Sequence, residues 1–501
     1  MTGVPSIDPR DGATIEIVAE ETGTSRVGEI CAAAHAAAEP LAEMARAGRA
    51  TLLDDLAAAL EANRERIVET ADRETALGPG RLDGELTRTC YQLRLFGEVL
   101  RDGGYLEATI DHAADTPMGP RPDLRRMLVP IGPVAVFGAS NFPLAFSVPG
   151  GDTASAIAAG SPVVLKAHHS HPATAQLCYE ILTAAAQKSG APDGTFGIVH
   201  GLRAGTDLVA HPAIRAVGFT GSVNAARALL AVIESRPEPI PFFGELSSLN
   251  PVVVTPAAAV DRAVRIGTEF AASFTLGAGQ FCTKPGLLFV PTGPEGDQIV
   301  TTIQSAIAEL PPMVLLNPGI AAAYQHGTAS LTTALGAAGS TASSTAPLVT
   351  ADSAVSPAVP PTASGGTTSP AVPPTASGGT PAGNDDSPGQ AGGPPTGQSL
   401  TAAPRLLTAE AGALPPEATE ECFGPVAVVA RWTDETELFT AIDSLPSSLT
   451  ATVHRGPGET MLPAELSRHF LPRTGRLIYD GYPTGVAVAW AQHHGGPWPS
   501  T

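Results

Sequence analysis

Cysteine is scarce: Cys31, Cys90, Cys178, Cys282 and Cys422 are the only five in 501 residues. They are odd in number and far apart, and no CxxC spacing occurs, which argues against a disulfide framework or a zinc cluster. A reducing cytoplasm is the simplest setting. Basic residues are also few, 29 against 49 acidic ones, for a net charge of −20. That balance argues against nucleic acid as a main partner. No apolar run is long enough to cross a bilayer, and MTGVPSIDPRDG has no basic start followed by an apolar core. Neither a membrane span nor a signal peptide is expected. The dinucleotide fingerprint GxGxxG is missing too.

What is present reads as a large globular α/β protein. Hydrophobic residues make up 43% and charged residues 16%, and the length suggests about two to four domains. Residues 27–77 are rich in Ala, Leu, Glu and Arg at helical spacing. Short apolar runs then alternate with helical stretches: PVAVFG (133–138), PVVLKA (162–167), TFGIVHG (195–201) and IRAVGFTGS (214–222). Such alternation predicts βαβ units and a parallel sheet. NPVVVTP (250–256) and GLLFVPTG (286–293) predict a second α/β domain. Residues 330–405 are Ala, Ser, Thr, Pro and Gly, with SPAVPPTASGGT at 356–367 and again at 369–380. This composition cannot bury enough apolar surface to offset ordering entropy, so it reads as a disordered insert.

One cysteine stands apart. Cys282 lies in GQFCTKPG, polar and turn-prone, not in an apolar run. Glycines beside it permit close backbone approach. Taken alone, packing and nucleophilic roles stay equally open. The other four cysteines are expected to pack in cores. His168, His169 and His171 cluster, but no cysteine or carboxylate accompanies them locally, and no metal is expected.

GQFCTKPG, FGASNFPLAFS (137–147), VGFTGS (217–222), GELSSLNPV (244–252) and EECFGPV (420–426) together resemble the aldehyde dehydrogenase superfamily, in the family's order. VLKAHHSHPATAQ and GYPTGVAVAW are similar to its NADP-linked 2-oxoglutarate semialdehyde (2,5-dioxopentanoate) branch. The resemblance covers most of the chain outside the insert. It implies a Rossmann-like cofactor domain (1–111 and 131–243) and a bridging, oligomerising β element (112–130). It also implies a catalytic domain (244–329 and 406–480), interrupted by the insert (330–405). The final 481–501 lack the strand that relatives lend to a neighbouring subunit, although a homo-oligomer is otherwise implied.

By resemblance, Cys282 is the nucleophile, Asn141 an oxyanion-hole donor and Glu245 the general base. Lys166, Gly221, Ser222, Glu421 and Phe423 match cofactor contacts. His169 stands where NAD-preferring relatives carry a glutamate, and Arg203 is positioned to reach a phosphate. NADP is therefore expected, with NAD the other candidate. Ser247 and Ser248 replace glycines that usually follow the base, and Ala226 replaces a helical glycine. The implied activity is oxidation of a small semialdehyde to an acid through a thiohemiacetal and a thioester. The alternatives are a catalytically impaired relative or a coenzyme A-acylating one. Glu245 argues for water as the final acceptor.

Overall fold

The computed structural model describes residues 3–337 and 400–501. Two parallel sheets organise it. The first holds five strands in the spatial order Phe242–Glu245, Ala216–Thr220, Val134–Phe137, Val163–Lys166, Phe196–Val199. Every neighbouring pair is parallel. Val134–Phe137 and Val163–Lys166 are buried along their whole length. Strands covered on both faces need apolar side chains at every position, and so they read as continuous apolar runs in the sequence.

The order of this sheet decides where a ligand can sit. The chain starts at the central strand Val134–Phe137, builds outward to Phe196–Val199, then returns to build the other edge. The order therefore reverses between Val134–Phe137 and Ala216–Thr220. Loops leaving the carboxyl ends of these two strands diverge and leave a crevice. One of the two loops carries Asn141; the other carries Gly221 and Ser222. The helix Val223–Glu234 begins there, its N-terminus capped by Ser222 Oγ accepting from the Ala225 N–H at 3.2 Å.

The second sheet has six parallel strands in the order Arg405–Glu410, Val426–Trp432, Leu287–Pro291, Val252–Val254, Ser448–His454, Thr474–Tyr479. The expected pair of α/β units is thus present, with buried apolar side chains on both sides of each sheet. Four short antiparallel strands lie between Thr109 and Arg126. Around them Ile110, Met118, Leu124, Met127 and Val129 are exposed.

The edges of the insert differ from the compositional reading. Helix Pro318–Ala337 runs into the range assigned to it, and Leu331 and Leu335, one turn apart, are buried. On the other side, Thr401–Ala402 and Arg405–Glu410 are already strands. Alanine and threonine in both flanks hide a normal i, i+4 apolar pair and a pairing edge. The tandem repeat and the remainder of the insert lie outside the described residues. No helix among the described residues is long and apolar enough to cross a membrane.

Candidate active site

Four loops meet at the crevice. They border an open cleft lined by Asn141, Gly221, Ser222, Glu245, Cys282, Glu421 and Phe423, among others. Each loop is fixed by buried polar contacts.

Asn141 is buried at the end of the loop after Val134–Phe137. Its Nδ2 donates to the Gln280 carbonyl at 2.9 Å, which points the amide at the cysteine loop. Arg81 donates to the Asn141 carbonyl at 2.6 Å. The buried Glu85 accepts from the Leu144 and Ala145 N–H groups at 2.8 and 2.9 Å. His171, fully buried, meets the Ala139 carbonyl at 2.8 Å. Burial lowers its pKa, with the Ala139 contact pulling the other way.

Cys282 follows a turn in which Gly277, Ala278 and Gly279 all have positive φ. A Cβ on Gly279 would stand 2.2 Å from the Gly424 carbonyl oxygen. Only glycine lets the two backbones touch. Below the turn, Asn250 Nδ2 donates to the carbonyls of Cys282 (2.7 Å) and Lys284 (3.0 Å). Lys284 is buried, and its ammonium donates to the carbonyls of Cys422, Gly424 and Val426 at 2.6, 3.3 and 3.1 Å. Three carbonyl dipoles compensate a desolvated charge that would otherwise be costly. Burial still pushes its pKa down. The lysine in TKPG is therefore a rivet between the cysteine loop and the Glu421–Phe423 loop.

Glu421 accepts from the Ser248 N–H at 3.2 Å. Burial raises its carboxyl to about 7, against the pull of Lys284, Ser248 and Ser247. Ser248 in turn bonds Asn250 Oδ1 at 2.7 Å and accepts from the Leu449 N–H at 2.8 Å. The serines that replace the usual glycines are therefore built into the network. Ala226 is wholly buried in its helix.

Glu245 ends its strand beside Thr220, and its carbonyl accepts from the Gly221 N–H at 3.0 Å. Its carboxylate oxygen lies 2.9 Å from His494 Nε2. The same nitrogen lies 3.8 Å from Cys282 Sγ. His494 is held over the site by its own segment: the Leu246 N–H donates to the Ser500 carbonyl at 2.9 Å, and the imidazole packs 5.9 Å from the Phe146 ring. The Cys282 thiol is pushed well above its ordinary range, first by burial, then by the charges of Glu245 and Glu421. Its own backbone N–H pulls it partly back.

The arrangement brings seven of the ten expected site residues to one cavity. Lys166, His169 and Arg203 do not line it. Lys166 is buried at the carboxyl end of its strand. His169 is exposed and stacks on His168 at 4.3 Å between centroids. Arg203 is exposed and lies 3.8 Å from Asp207. His494 was missed from sequence. Its only signal is HH before GGP, near residue 495. Cys31, Cys90, Cys178 and Cys422 are buried, as expected.

The donor set fits a dinucleotide. A helix N-terminus opens into the cavity at Ser222, suited to a pyrophosphate, and the Glu421 carboxylate faces it as a partner for ribose hydroxyls.

A profile of the aldehyde dehydrogenase family matches residues 1–322. Alpha-ketoglutaric semialdehyde dehydrogenase 2 of Azospirillum brasilense is 40% identical over 506 residues, covering 99% of this chain and 86% of that protein. Alpha-ketoglutaric semialdehyde dehydrogenase of Acinetobacter baylyi is 38% identical over 458 residues, covering 90% and 77%. The solved structure of PnpE in complex with nicotinamide adenine dinucleotide aligns with a TM-score of 0.75 at 20% identity, covering 100% of this chain and 90% of that one. The last shows likeness of fold.

Proposed function

The chain belongs to the aldehyde dehydrogenase family, and from that premise we propose that it oxidises 2-oxoglutarate semialdehyde, or a close carboxylate-bearing analogue, to the acid. The observation that carries the reading is the contact series Cys282 Sγ, His494 Nε2, Glu245 Oε1, at 3.8 and 2.9 Å.

Burial and two carboxylates hold the Cys282 proton on sulfur. The thiol must therefore pass that proton to a neighbour before it attacks, and His494 is in reach. The thiolate adds to the aldehyde carbon and gives a thiohemiacetal. One Asn141 amide hydrogen is engaged by Gln280, which leaves the other, with the Cys282 N–H, for the oxyanion. A nicotinamide, when bound, supplies the acceptor for the hydride that leaves this carbon. Glu245 then takes a proton from water, which attacks the thioester and frees the acid.

Two arginines support an anionic substrate. The Nε atoms of Arg88 and Arg476 are buried without a hydrogen-bond partner among the described residues. Both charges act on Cys282 and Glu245. NADP is the favoured cofactor, because His169 puts no carboxylate near a 2′-phosphate, and Arg203 is the candidate phosphate contact. NAD remains the second candidate. A homo-oligomer and a cytoplasmic setting complete the proposal.

The test is a panel of semialdehydes and simple aldehydes with each cofactor, followed by reduced-nicotinamide absorbance and by product analysis. Free acid from a carboxylate-bearing semialdehyde is expected. Acyl-coenzyme A as the product, or no turnover with any aldehyde, would overturn the reading.

A further inference from the structure

The Cys282 thiol and the two groups beside it also form a different kind of site. Among the described residues, Glu245, Cys282 and His494 are the only set of three potential metal ligands whose donor atoms all lie within 4.8 Å of one another. They supply one carboxylate oxygen, one sulfur and one imidazole nitrogen. We propose that this triad binds a thiophilic divalent cation, Zn²⁺ above all, and that binding reversibly silences the enzyme.

The geometry fits zinc. Typical zinc bond lengths at tetrahedral angles separate sulfur from nitrogen by about 3.6 Å, and nitrogen from oxygen by about 3.3 Å. Here those separations are 3.8 and 2.9 Å. The first is about 0.2 Å above the ideal and the second about 0.4 Å below it. A cavity lies beside Cys282 and Glu245, so the fourth position is open to water. The ligand set also selects the ion: a thiolate with an imidazole suits Zn²⁺ or Cd²⁺, whereas Mg²⁺ and Ca²⁺ prefer oxygen alone. The exchange balances simply. The cation replaces the thiol proton, which leaves to solvent, and no electrons move.

Such an ion occupies the nucleophile, its proton acceptor and the base together. It also covers the one cysteine that keeps partial exposure to solvent. A metal-bound thiolate is shielded from alkylation and oxidation. The site itself stands independently of the proposed oxidation; only the silencing rests on it. Nothing among the described residues holds the imidazole from behind, since His494 Nδ1 is buried without a hydrogen bond there. Ligand orientation is then looser than in a structural zinc site, which suits reversible binding.

The experiment uses Co²⁺ as a coloured stand-in, titrated into the chelator-stripped full chain without aldehyde or cofactor. The other four cysteines are buried, so sulfur-to-cobalt charge-transfer absorption reports on Cys282. Binding with that absorption is expected, and Zn²⁺ should displace the cobalt and block iodoacetamide labelling of Cys282. Cys282→Ser should remove the band, and His494→Ala should weaken cobalt binding by about tenfold or more. Circular dichroism checks that each variant folds; should His494→Ala fail to fold, Glu245→Gln carries the same expectation. No charge-transfer band in the unaltered protein overturns the site. So does unchanged affinity in the folded ligand variant. Aldehyde oxidation assayed separately with chelator present distinguishes failure of the oxidation reading from failure of the metal site.

Discussion

The cysteine side and the outer cofactor side of this molecule are built differently. Around Cys282, every turn is held by buried polar contacts: Asn250 under the loop, Lys284 across it, Gln280 against Asn141. At the outer edge, His169 and Arg203 are exposed, and Arg203 lies 3.8 Å from Asp207. Reaction chemistry needs atoms fixed to fractions of an ångström, so its residues are locked by neighbours. Choice between two cofactors needs only a local charge, and that can be supplied from the surface. The difference predicts steep effects inside and shallow ones outside.

The steepest is Cys282→Ala, which should leave no measurable aldehyde oxidation while cofactor binding survives. Equal loss of cofactor binding would show that the loop had collapsed and would blur the contrast. Glu245→Gln should slow turnover by about 10²–10⁴-fold, yet still release a single burst of reduced nicotinamide as the thioester accumulates. A variant with no burst would place Glu245 ahead of the thioester. Asn141→Ala removes a preorganised donor and should cost about 10²–10³-fold in kcat. Arg476→Gln should raise KM for a carboxylate-bearing aldehyde by about 10–100-fold, the worth of a hydrogen bond to a charged group, and leave a neutral aldehyde nearly unchanged. Smallest of all, His169→Glu should shift the NADP-to-NAD ratio of kcat/KM by about fivefold, the scale of an exposed charge interaction. A much larger shift would mean that the outer edge closes over the cofactor.

The same contrast explains what was legible in the sequence. GELSSLNPV, SNFP and GQFCTKPG keep their site residues inside short local patterns, and the chain brings Glu245, Asn141 and Cys282 to one cavity. The parallel strands were legible because burial on both faces forces unbroken apolar runs. His494 was not, because it lies 212 residues from Cys282 and further still from Glu245, and nothing local marks the link. Lys284 misleads in a different way. A lysine after threonine before a Pro-Gly turn looks solvated, and only three converging carbonyls explain it. Leu331 and Leu335 lay in plain view at helical spacing, but the alanine-rich surroundings swamped them.

The contact between Gly279 and Gly424 has a further consequence. A Cβ at 279 would meet the other backbone, and a Cβ at Gly424 would stand 2.3 Å from the Tyr324 ring. With no slack at either position, Cys282 and Glu421 ride on a single rigid piece. Variation cannot retune one without dragging the other, so new aldehydes have to be accommodated by the walls that face this piece and not by the piece itself.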